Sequence, residues 1–147
     1  MSNQVSEKIA DILLVDDSVE DAELAIRALK KSNLANNLLH LEDGEAVINY
    51  FYENPTDQIK LPKLILLDLK MPKVDGIEVV KRIKGDERLK SIPIIVMTSS
   101  EEENDIVETY RLGVNGYIVK PVDAKKFIKV VTDIGFFWLV LNKVPNG

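Results

Sequence analysis

The sequence predicts an α/β domain built on a doubly wound, five-stranded parallel sheet with five helices. Short apolar runs, mostly rich in Ile, Leu and Val, alternate with longer amphipathic segments along the chain. Runs this short are typical of strands that are buried on both faces, and repeated strand–helix alternation favours a parallel sheet covered on both sides. The predicted strands are Ile12–Val15, Leu38–Leu41, Leu64–Leu67, Ile94–Met97 and Tyr117–Val119.

The first helix is predicted directly after the first strand. Ser18 and Asp21 have the spacing of a capping box, which marks the start of a helix. The residues that follow repeat at helical spacing and form an apolar face of Ala22, Ala25, Ile26 and Leu29. We therefore expect a helix that begins after Ser18 and packs on the sheet through this face.

The second and third helices are each predicted after an Asp-Gly pair. The second follows Asp43-Gly44, and its apolar positions are Val47, Tyr50 and Phe51. The third follows Asp75-Gly76, and its apolar positions are Ile77, Val80 and Ile83. Between them lies the longest connection, Asn54 to Lys63, which is polar and is expected to form a surface loop before the third strand.

The fourth and fifth helices complete the alternation. The fourth is predicted from about Glu102 to Leu112, and Gly113 marks its end. Asn115-Gly116 has the composition of a hairpin turn, but the segment before it has the character of a helix end, which favours a helix-to-strand turn. The fifth helix is predicted from near Asp123, with apolar positions Phe127, Val130, Val131, Ile134 and Leu141.

Composition limits the kinds of protein this chain can be. Its 147 residues suit one domain, predicted over 1–147 with a core from about 10 to 141, and the net charge of −5 argues against general binding of nucleic acid. Without cysteine there is no disulfide or zinc–thiolate site, and the single histidine, His40, excludes sites that need two. The segment from Met1 to Asp11 does not resemble a signal peptide, and no run approaches the roughly 20 apolar residues of a membrane helix, so we expect a cytoplasmic protein.

Side chains that can bind ligands or take part in catalysis follow four of the five predicted strands. Asp16-Asp17 follows the first strand, Asp68 the third, Thr98-Ser99 the fourth and Lys120-Pro121 the fifth. In an open parallel sheet, ligands bind beyond the carboxyl ends of the strands, where the strand order reverses. We therefore expect three carboxylates, a hydroxyl and an ammonium group to converge at one edge of the sheet.

This set of side chains suits phosphoryl chemistry. Carboxylates held close together repel one another and raise one another's proton affinity, which a divalent cation relieves. Because the available ligands are oxygens, without His or Cys, they suit Mg²⁺. With Mg²⁺ and the ammonium group of Lys120 present, the site can accept the negative charge of a phosphoryl group, and a carboxylate can act as the nucleophile that forms an aspartyl-phosphate.

Each part of this pattern also has a simpler interpretation. Adjacent acids after a strand are often turn or capping residues, a lone Asp68 can cap the segment after it, and Lys-Pro after a strand is common. The combination of these groups, in this order and on successive strands, is what favours a functional site.

The segments that carry this combination resemble the receiver domain of bacterial two-component response regulators. They are Ile12–Ser18, Leu64–Gly76, Ile94–Thr98 and Gly116–Pro121, and the resemblance spans the chain from Ala10 to the fifth helix. It implies the flavodoxin-like strand order 2-1-3-4-5. It also implies a signalling switch that accepts a phosphoryl group from a sensor histidine kinase, with no enzyme activity beyond self-phosphorylation and autodephosphorylation.

The resemblance assigns the acidic residues to the phosphoryl and metal sites. Asp68 is the phosphoacceptor. Asp17 binds Mg²⁺ directly, and Asp16 binds it directly or through water. Asp68 and the backbone carbonyl of Lys70 complete the protein ligands.

The resemblance also assigns the residues of the switch. Thr98 hydrogen-bonds the phosphoryl oxygens, and Lys120 pairs with them. Tyr117, which by its pattern alone would be a half-buried strand residue, rotates inward when Thr98 moves. Lys70 and Ser100 tune autodephosphorylation, and the output face comprises the fourth helix, the fifth strand and the fifth helix.

Within the family, the chain is similar to small stand-alone regulators that pair with phytochrome histidine kinases. The similarity rests on the long loop before the third strand, on the segment from Thr98 to Ile106 and on the Phe136–Leu139 end. A phytochrome is therefore an expected partner, without direct binding to nucleic acid or to a membrane.

The end of the fifth helix has more apolar side chains than one face of a helix needs. Phe136, Phe137, Trp138 and Val140 leave apolar area on its other faces. Such a surplus is typical of an interface with aromatic anchors, which favours a homodimer. The alternative is that the helix end folds back on its own domain.

Three other functions share this topology. A phosphatase with an Asp nucleophile normally has a second acid two residues later, where this chain has Lys70, and a capping insertion for which the chain is too short. A protein-interaction module without phosphorylation does not need the complete set of Asp, Thr and Lys. A flavodoxin-like cofactor binder needs a phosphate-binding loop after the first strand, and no such loop is present.

Overall fold

The computed structural model describes residues 10–34, 37–53 and 61–143, in which five strands and five α-helices alternate. The strands are β1 (Ile12–Val15), β2 (Leu38–Leu41), β3 (Leu64–Leu67), β4 (Ile94–Thr98) and β5 (Gly116–Val119). The helices are α1 (Val19–Lys31), α2 (Gly44–Tyr52), α3 (Gly76–Lys84), α4 (Glu103–Leu112) and α5 (Ala124–Phe136), and α5 continues into a π-helical turn at Phe137–Leu141. Most of the predicted loop from Asn54 to Lys63 and most of the N-terminal segment lie outside the described residues.

All strand pairs in the sheet are parallel, and their order is β2-β1-β3-β4-β5, which confirms the predicted fold class. β1, β3 and β4 are buried along their whole length, as their apolar runs predict. The prediction that all five strands are buried on both faces is wrong for β2 and β5, which are largely only half-buried. These are the edge strands, and each has only one neighbour in the sheet to cover it.

Helices cover both faces of the sheet, as predicted. Successive residues of β1 point to opposite faces. Ile12 and Leu14 belong to the core that α1 and α5 fill, whereas Leu13 and Val15 belong to the core that α2 and α3 fill. None of the helices in the described part of the chain combines the length and the apolar character that a membrane span requires.

Four helices begin at a polar residue that caps the first turn. At α1, Ser18 Oγ accepts a hydrogen bond of 3.2 Å from the Asp21 amide, and an Asp carboxylate plays the same part at α2, α3 and α5. The Ser18 amide donates to Asp16 Oδ1 at 2.9 Å. Asp21 therefore does not complete the predicted capping box, because Asp16 takes the Ser18 amide.

A side-chain hydrogen bond accounts for the turn at Asn115-Gly116. The Asn115 amide donates to the Ile94 carbonyl at 2.8 Å, and the Ile94 amide donates to Asn115 Oδ1 at 2.9 Å. Gly113 ends α4 with a φ of +110°, a conformation that glycine adopts readily. The pair is therefore the helix-to-strand turn that the sequence favours, and it leads into β5.

The end of α5 differs from the prediction. Phe127, Val131 and Ile134 are buried, but Leu141 is 56% exposed and lies off the apolar face. From Phe137 the hydrogen-bond spacing widens to five residues, as in the bond of 2.7 Å from the Asn142 amide to the Phe137 carbonyl. A π-helical turn rotates less per residue than an α-helix, so Leu141 falls outside the buried stripe.

Candidate functional site

The three carboxylates predicted at the edge of the sheet lie together. Asp16 and Asp17 follow β1 and Asp68 follows the neighbouring strand β3, and one carboxylate oxygen from each lies within 4.8 Å of the other two. Asp16 and Asp68 are buried, whereas Asp17 is exposed. The strand order therefore creates an oxygen-lined site that is accessible at Asp17.

Backbone hydrogen bonds hold the two buried carboxylates at the strand ends. The Asp68 amide donates to the Val15 carbonyl at 2.9 Å, which continues the pairing of β1 and β3. Asp16 Oδ1 accepts from the Ser18 amide at 2.9 Å, and Asp68 Oδ1 accepts from the Lys70 amide at 3.2 Å. One oxygen of each carboxylate thus fixes the turn after its strand, and the other is left for contacts within the site.

Lys120 is the cation of the site. Its Nζ atom lies 2.8 Å from Asp16 Oδ2, 2.8 Å from Asp21 Oδ2 and 3.0 Å from Asp68 Oδ2. The Lys120 side chain is only 9% exposed, although it must span β4 to reach residues that follow β3 and β1. Since an ammonium group has three N–H donors, each donor has one carboxylate acceptor.

Asp21 is the member of this cluster that the sequence does not predict, because its spacing from Ser18 indicates only a capping residue. Asp21 lies in the first turn of α1, which begins at the same edge of the sheet as the carboxylates. Its position in the first turn of a helix that begins directly after the strand-end carboxylates was the available signal. With Asp21 included, four carboxylates and one ammonium group share this edge.

The electrostatics of the site follow from this excess of carboxylates. Burial raises the pKa of Asp16, and its hydrogen bonds with Lys120 and the Ser18 amide offset only part of that effect. Burial also opposes the charge of Lys120, but its hydrogen bonds to the three carboxylates outweigh burial and raise the pKa of the ammonium group. The two pKa shifts agree because Asp16 shares its cation with other carboxylates: the charge of Lys120 is strongly stabilised, while that of Asp16 is only partly neutralised.

Asp16→Asn is expected to increase the free energy of unfolding at neutral pH when divalent cations are absent. Because the pKa of Asp16 is raised in the folded state, its ionisation costs stability at pH values above its ordinary pKa of 3.8. The expected gain is about 1 kcal/mol, because Lys120 keeps Asp21 and Asp68 as partners when Asp16 is neutral. Urea denaturation in EDTA measures it.

The gain from Asp16→Asn should disappear well below pH 3.8, where both states of the wild type carry the proton. Asp133→Asn, which removes an exposed carboxylate on α5, provides a control for the loss of one negative charge. A variant that is less stable than wild type at neutral pH would contradict the expectation that ionised Asp16 destabilises the fold.

Thr98 and Tyr117 lie on neighbouring strands and meet at Ser100. Thr98 is fully buried at the end of β4, and its Oγ1 accepts a hydrogen bond of 3.4 Å from the Ser100 amide. Tyr117 on β5 is half-buried, and its hydroxyl donates to the Ser100 carbonyl at 3.0 Å. Burial raises the pKa of the Tyr117 hydroxyl, which keeps it protonated as a donor. The roles assigned to both residues in a switch stay predictions.

Lys70 contacts the site through its backbone. Its amide donates to Asp68 Oδ1, whereas its side chain is 60% exposed and its Nζ atom lies 3.6 Å from Asp105 Oδ2. The prediction that its carbonyl oxygen is a metal ligand stays a prediction.

The aromatic residues at the end of α5 are divided between core and surface. Trp138 is partly buried and packs against the core between α1 and α5, as the fold-back alternative expects. Phe136 and Phe137 are 50% and 48% exposed, which leaves them accessible to another molecule. Their assignment to a dimer interface stays a prediction.

The residues present fit a hard divalent cation. Three carboxylates that approach within 4.8 Å form the oxygen-only donor set that suits Mg²⁺ and Mn²⁺. The four carboxylates also exceed the charge that Lys120 neutralises, so a divalent cation would relieve the remaining repulsion.

The chain is similar to known proteins along most of its length. A model of the response regulator receiver domain matches residues 12–132. The response regulator Rcp1 of Synechocystis sp. is 41% identical over 139 residues, which are 91% of this chain and 92% of Rcp1.

Solved structures of such proteins have the same fold. Mn²⁺-bound Rcp1 has a TM-score of 0.82 at 40% identity, over 91% of this chain and 97% of its own. The phosphorylated cyanobacterial phytochrome response regulator RcpA has a TM-score of 0.86 at 36% identity, over 94% of this chain and 99% of its own. The bacteriophytochrome response regulator RtBRR has a TM-score of 0.70 at 42% identity, over 93% of this chain and 84% of its own.

Proposed function

This chain belongs to the response regulator receiver family, and we propose on that basis that it accepts a phosphoryl group on Asp68 from a sensor histidine kinase. One observation carries the proposal: buried Asp68 shares one edge of the sheet with Asp16 and Asp17 and lies 3.0 Å from Lys120 Nζ. The family consists of signalling proteins, and self-phosphorylation and autodephosphorylation are the only chemistry we assign to this member. The test is to locate, by mass spectrometry, the group acquired from acetyl phosphate in the presence of Mg²⁺.

In the proposed reaction, a carboxylate oxygen of Asp68 forms a bond to phosphorus while the bond from phosphorus to the donor breaks. With a phosphohistidine donor, the P–N bond breaks and the imidazole nitrogen keeps the electron pair. The Lys120 N–H that points to Asp68 Oδ2 can then pair with the oxygens of the new acyl phosphate. Asp16 and Asp21 meanwhile hold Lys120 in place through its other two donors.

The divalent cation that we propose is Mg²⁺, held by Asp16, Asp17, Asp68 and the carbonyl of Lys70. When bound, it supplies positive charge that neutralises the phosphoryl oxygens and the carboxylates. The structure of Rcp1 with Mn²⁺ supports this choice, because both ions take oxygen ligands.

We place the conformational switch at Thr98 and Tyr117. We expect Thr98 to turn toward a phosphoryl group on Asp68 and donate to it, which breaks the long hydrogen bond of 3.4 Å that its Oγ1 accepts from the Ser100 amide. That movement displaces Ser100 and the Tyr117 hydroxyl bound to its carbonyl, so phosphorylation shifts an existing equilibrium of the α4, β5 and α5 face. Exposed apolar side chains on this face could be covered by a partner, and they are Val107, Tyr110 and Val119.

We infer that the phosphodonor is a phytochrome histidine kinase. Because such a kinase uses ATP, we also propose that this chain, a single receiver domain over residues 1–147, works in the cytoplasm. The inference is supported by RcpA and RtBRR, a phytochrome and a bacteriophytochrome response regulator whose similarity covers 94% and 93% of this chain. Phosphotransfer from a purified phytochrome kinase is expected to be at least about tenfold faster than from an unrelated sensor kinase, since specificity is a difference of affinities. Equal rates from both kinases would contradict it.

We also infer that two copies associate through the end of α5. Four exposed apolar side chains form a patch there: Phe136, Phe137, Val140 and Leu141. A patch of this kind is typical of an interface, and a two-fold axis would bring it against itself.

Phe137→Ser is expected to shift the chain from dimer to monomer in analytical ultracentrifugation, by about tenfold or more in the dissociation constant. Trp138→Ala is a poorer test, because Trp138 also packs against its own core. Val19→Ser removes an exposed apolar side chain from α1 and is the control. If wild type and Phe137→Ser are both monomers at the highest concentration, the interface is wrong.

A further inference from the structure

Ser100 is held by four hydrogen bonds that lead to different parts of the molecule. Its amide donates to Thr98 Oγ1 at 3.4 Å, and its carbonyl accepts from the Tyr117 hydroxyl at 3.0 Å. Its hydroxyl donates to Asp105 Oδ2 at 2.6 Å and accepts from the Glu102 amide at 3.3 Å. Ser100 therefore connects the end of β4 with β5 and with α4.

Asp105 is the α4 residue in this set. It lies in the first turn of α4, its side chain is 14% exposed, and the oxygen that Ser100 contacts also lies 3.6 Å from Lys70 Nζ. Its carbonyl accepts a hydrogen bond of 2.8 Å from the buried Thr109 hydroxyl, one turn further along the helix. A single carboxylate thus joins the segments that follow β3 and β4 to the start of α4.

We propose that Asp105 is a positioning residue that transmits the state of Asp68 to helix α4. The inference rests on the proposed function and adds to it the residue that couples the site to the output face. When Thr98 Oγ1 turns toward a phosphoryl group, the Ser100 amide loses its acceptor and the Ser100 hydroxyl moves with the backbone. The bond to Asp105 then breaks, which releases the first turn of α4.

The hydrogen bond between Ser100 and Asp105 is strong enough for its loss to have a measurable effect on α4. A hydroxyl-to-carboxylate bond of 2.6 Å is charge-assisted and therefore stronger than a bond between neutral groups. Its loss changes the opening equilibrium of the first turn of α4 by about tenfold. A substitution that already breaks this bond leaves phosphorylation nothing to break there, so it should also remove the response of α4.

Hydrogen exchange of the α4 amides, with and without acetyl phosphate and Mg²⁺, tests the proposal. In wild type, phosphorylation is expected to speed exchange in Glu103–Leu112 about tenfold. In Asp105→Ala, exchange is expected to be fast already and unchanged by the phosphodonor. Asp105→Asn keeps an acceptor for Ser100 but loses the charge opposite Lys70, so its response is expected to be smaller than that of wild type.

Glu103→Ala is the matched control, because it removes an exposed carboxylate from the same first turn and should respond as wild type does. Incorporation at Asp68 is measured in the same samples. If wild type takes up no phosphoryl group, the proposed function fails and the role of Asp105 fails with it. If the variants are phosphorylated and α4 of Asp105→Ala still responds fully, only the role of Asp105 is overturned. Should Asp105→Ala not fold, a full wild-type response in Asp105→Asn overturns it.

Discussion

Asp68→Asn is expected to lower phosphoryl incorporation from acetyl phosphate at least about a hundredfold, to background, because an amide cannot form the acyl phosphate. The wild-type chain, in the same Mg²⁺ buffer, is expected to acquire one group in the peptide that contains Asp68. The neighbouring carboxylates are not expected to replace Asp68, because we assign both Asp16 and Asp17 to the proposed cation and not to the phosphoryl group. Intact-mass and peptide spectra measure both results.

Two controls accompany the Asp68 experiment. Asp133→Asn removes an exposed carboxylate from α5 and should leave incorporation unchanged. Replacing Mg²⁺ by EDTA should reduce incorporation in wild type, because the carboxylates then lack the cation that we propose. If the wild-type chain carries the phosphoryl group mainly in a peptide that lacks Asp68, the assignment of the phosphoacceptor is overturned.

The second large effect is expected on stability. Lys120→Met keeps an unbranched side chain but leaves Asp16, Asp21 and Asp68 without their shared cation. Removing one partner of a buried ion pair typically costs about 3–5 kcal/mol. We expect a loss of about 3 kcal/mol in the free energy of unfolding at neutral pH without divalent cations, since the carboxylates can take up protons in compensation. Mg²⁺ should reduce the loss.

The stability that Lys120 contributes is expected to depend on pH. Because the pKa of Lys120 is raised in the folded state, its contribution is fully present below the ordinary value of 10.5 and is lost as the pH rises through the folded value. The difference in the free energy of unfolding between wild type and Lys120→Met should therefore begin to shrink once the pH exceeds 10.5. Lys129→Met removes a 76% exposed lysine of α5 and should change stability little. Equal stability of Lys120→Met and wild type would refute the shared-cation account.

The convergence of Asp16, Asp68 and Lys120 was predictable from sequence because it needs only the order of parallel strands. Each residue directly follows a short apolar run, and the carboxyl ends of parallel strands meet at one edge. Because successive side chains of a strand point to opposite faces of the sheet, the division of strand residues between the two cores also follows from sequence. The fold and the position of the site therefore follow from patterns that are local in the chain.

Other features depend on geometry that no local pattern contains. The contact of Asp21 with Lys120 requires a particular rotation of α1 on the sheet, and the bond from Ser100 to Asp105 requires the loop after β4 to fold against α4. The exposure of Leu141 comes from a change in hydrogen-bond spacing after Phe137, which apolar periodicity alone does not reveal. Each of these features depends on the way in which the formed helices, strands and loops pack against one another.

The place of β1 inside the sheet affects how the chain folds as it leaves the ribosome. β1 pairs with both β2 and β3, so β1 can gain its second neighbour only after Leu67 has been synthesised. Asp16 and Asp68 are then adjacent, while Lys120 is still more than fifty residues from being made. A sheet that holds β1 and β3 but lacks Lys120 leaves these carboxylates without their shared cation, so we expect electrostatic attraction to favour the docking of β5.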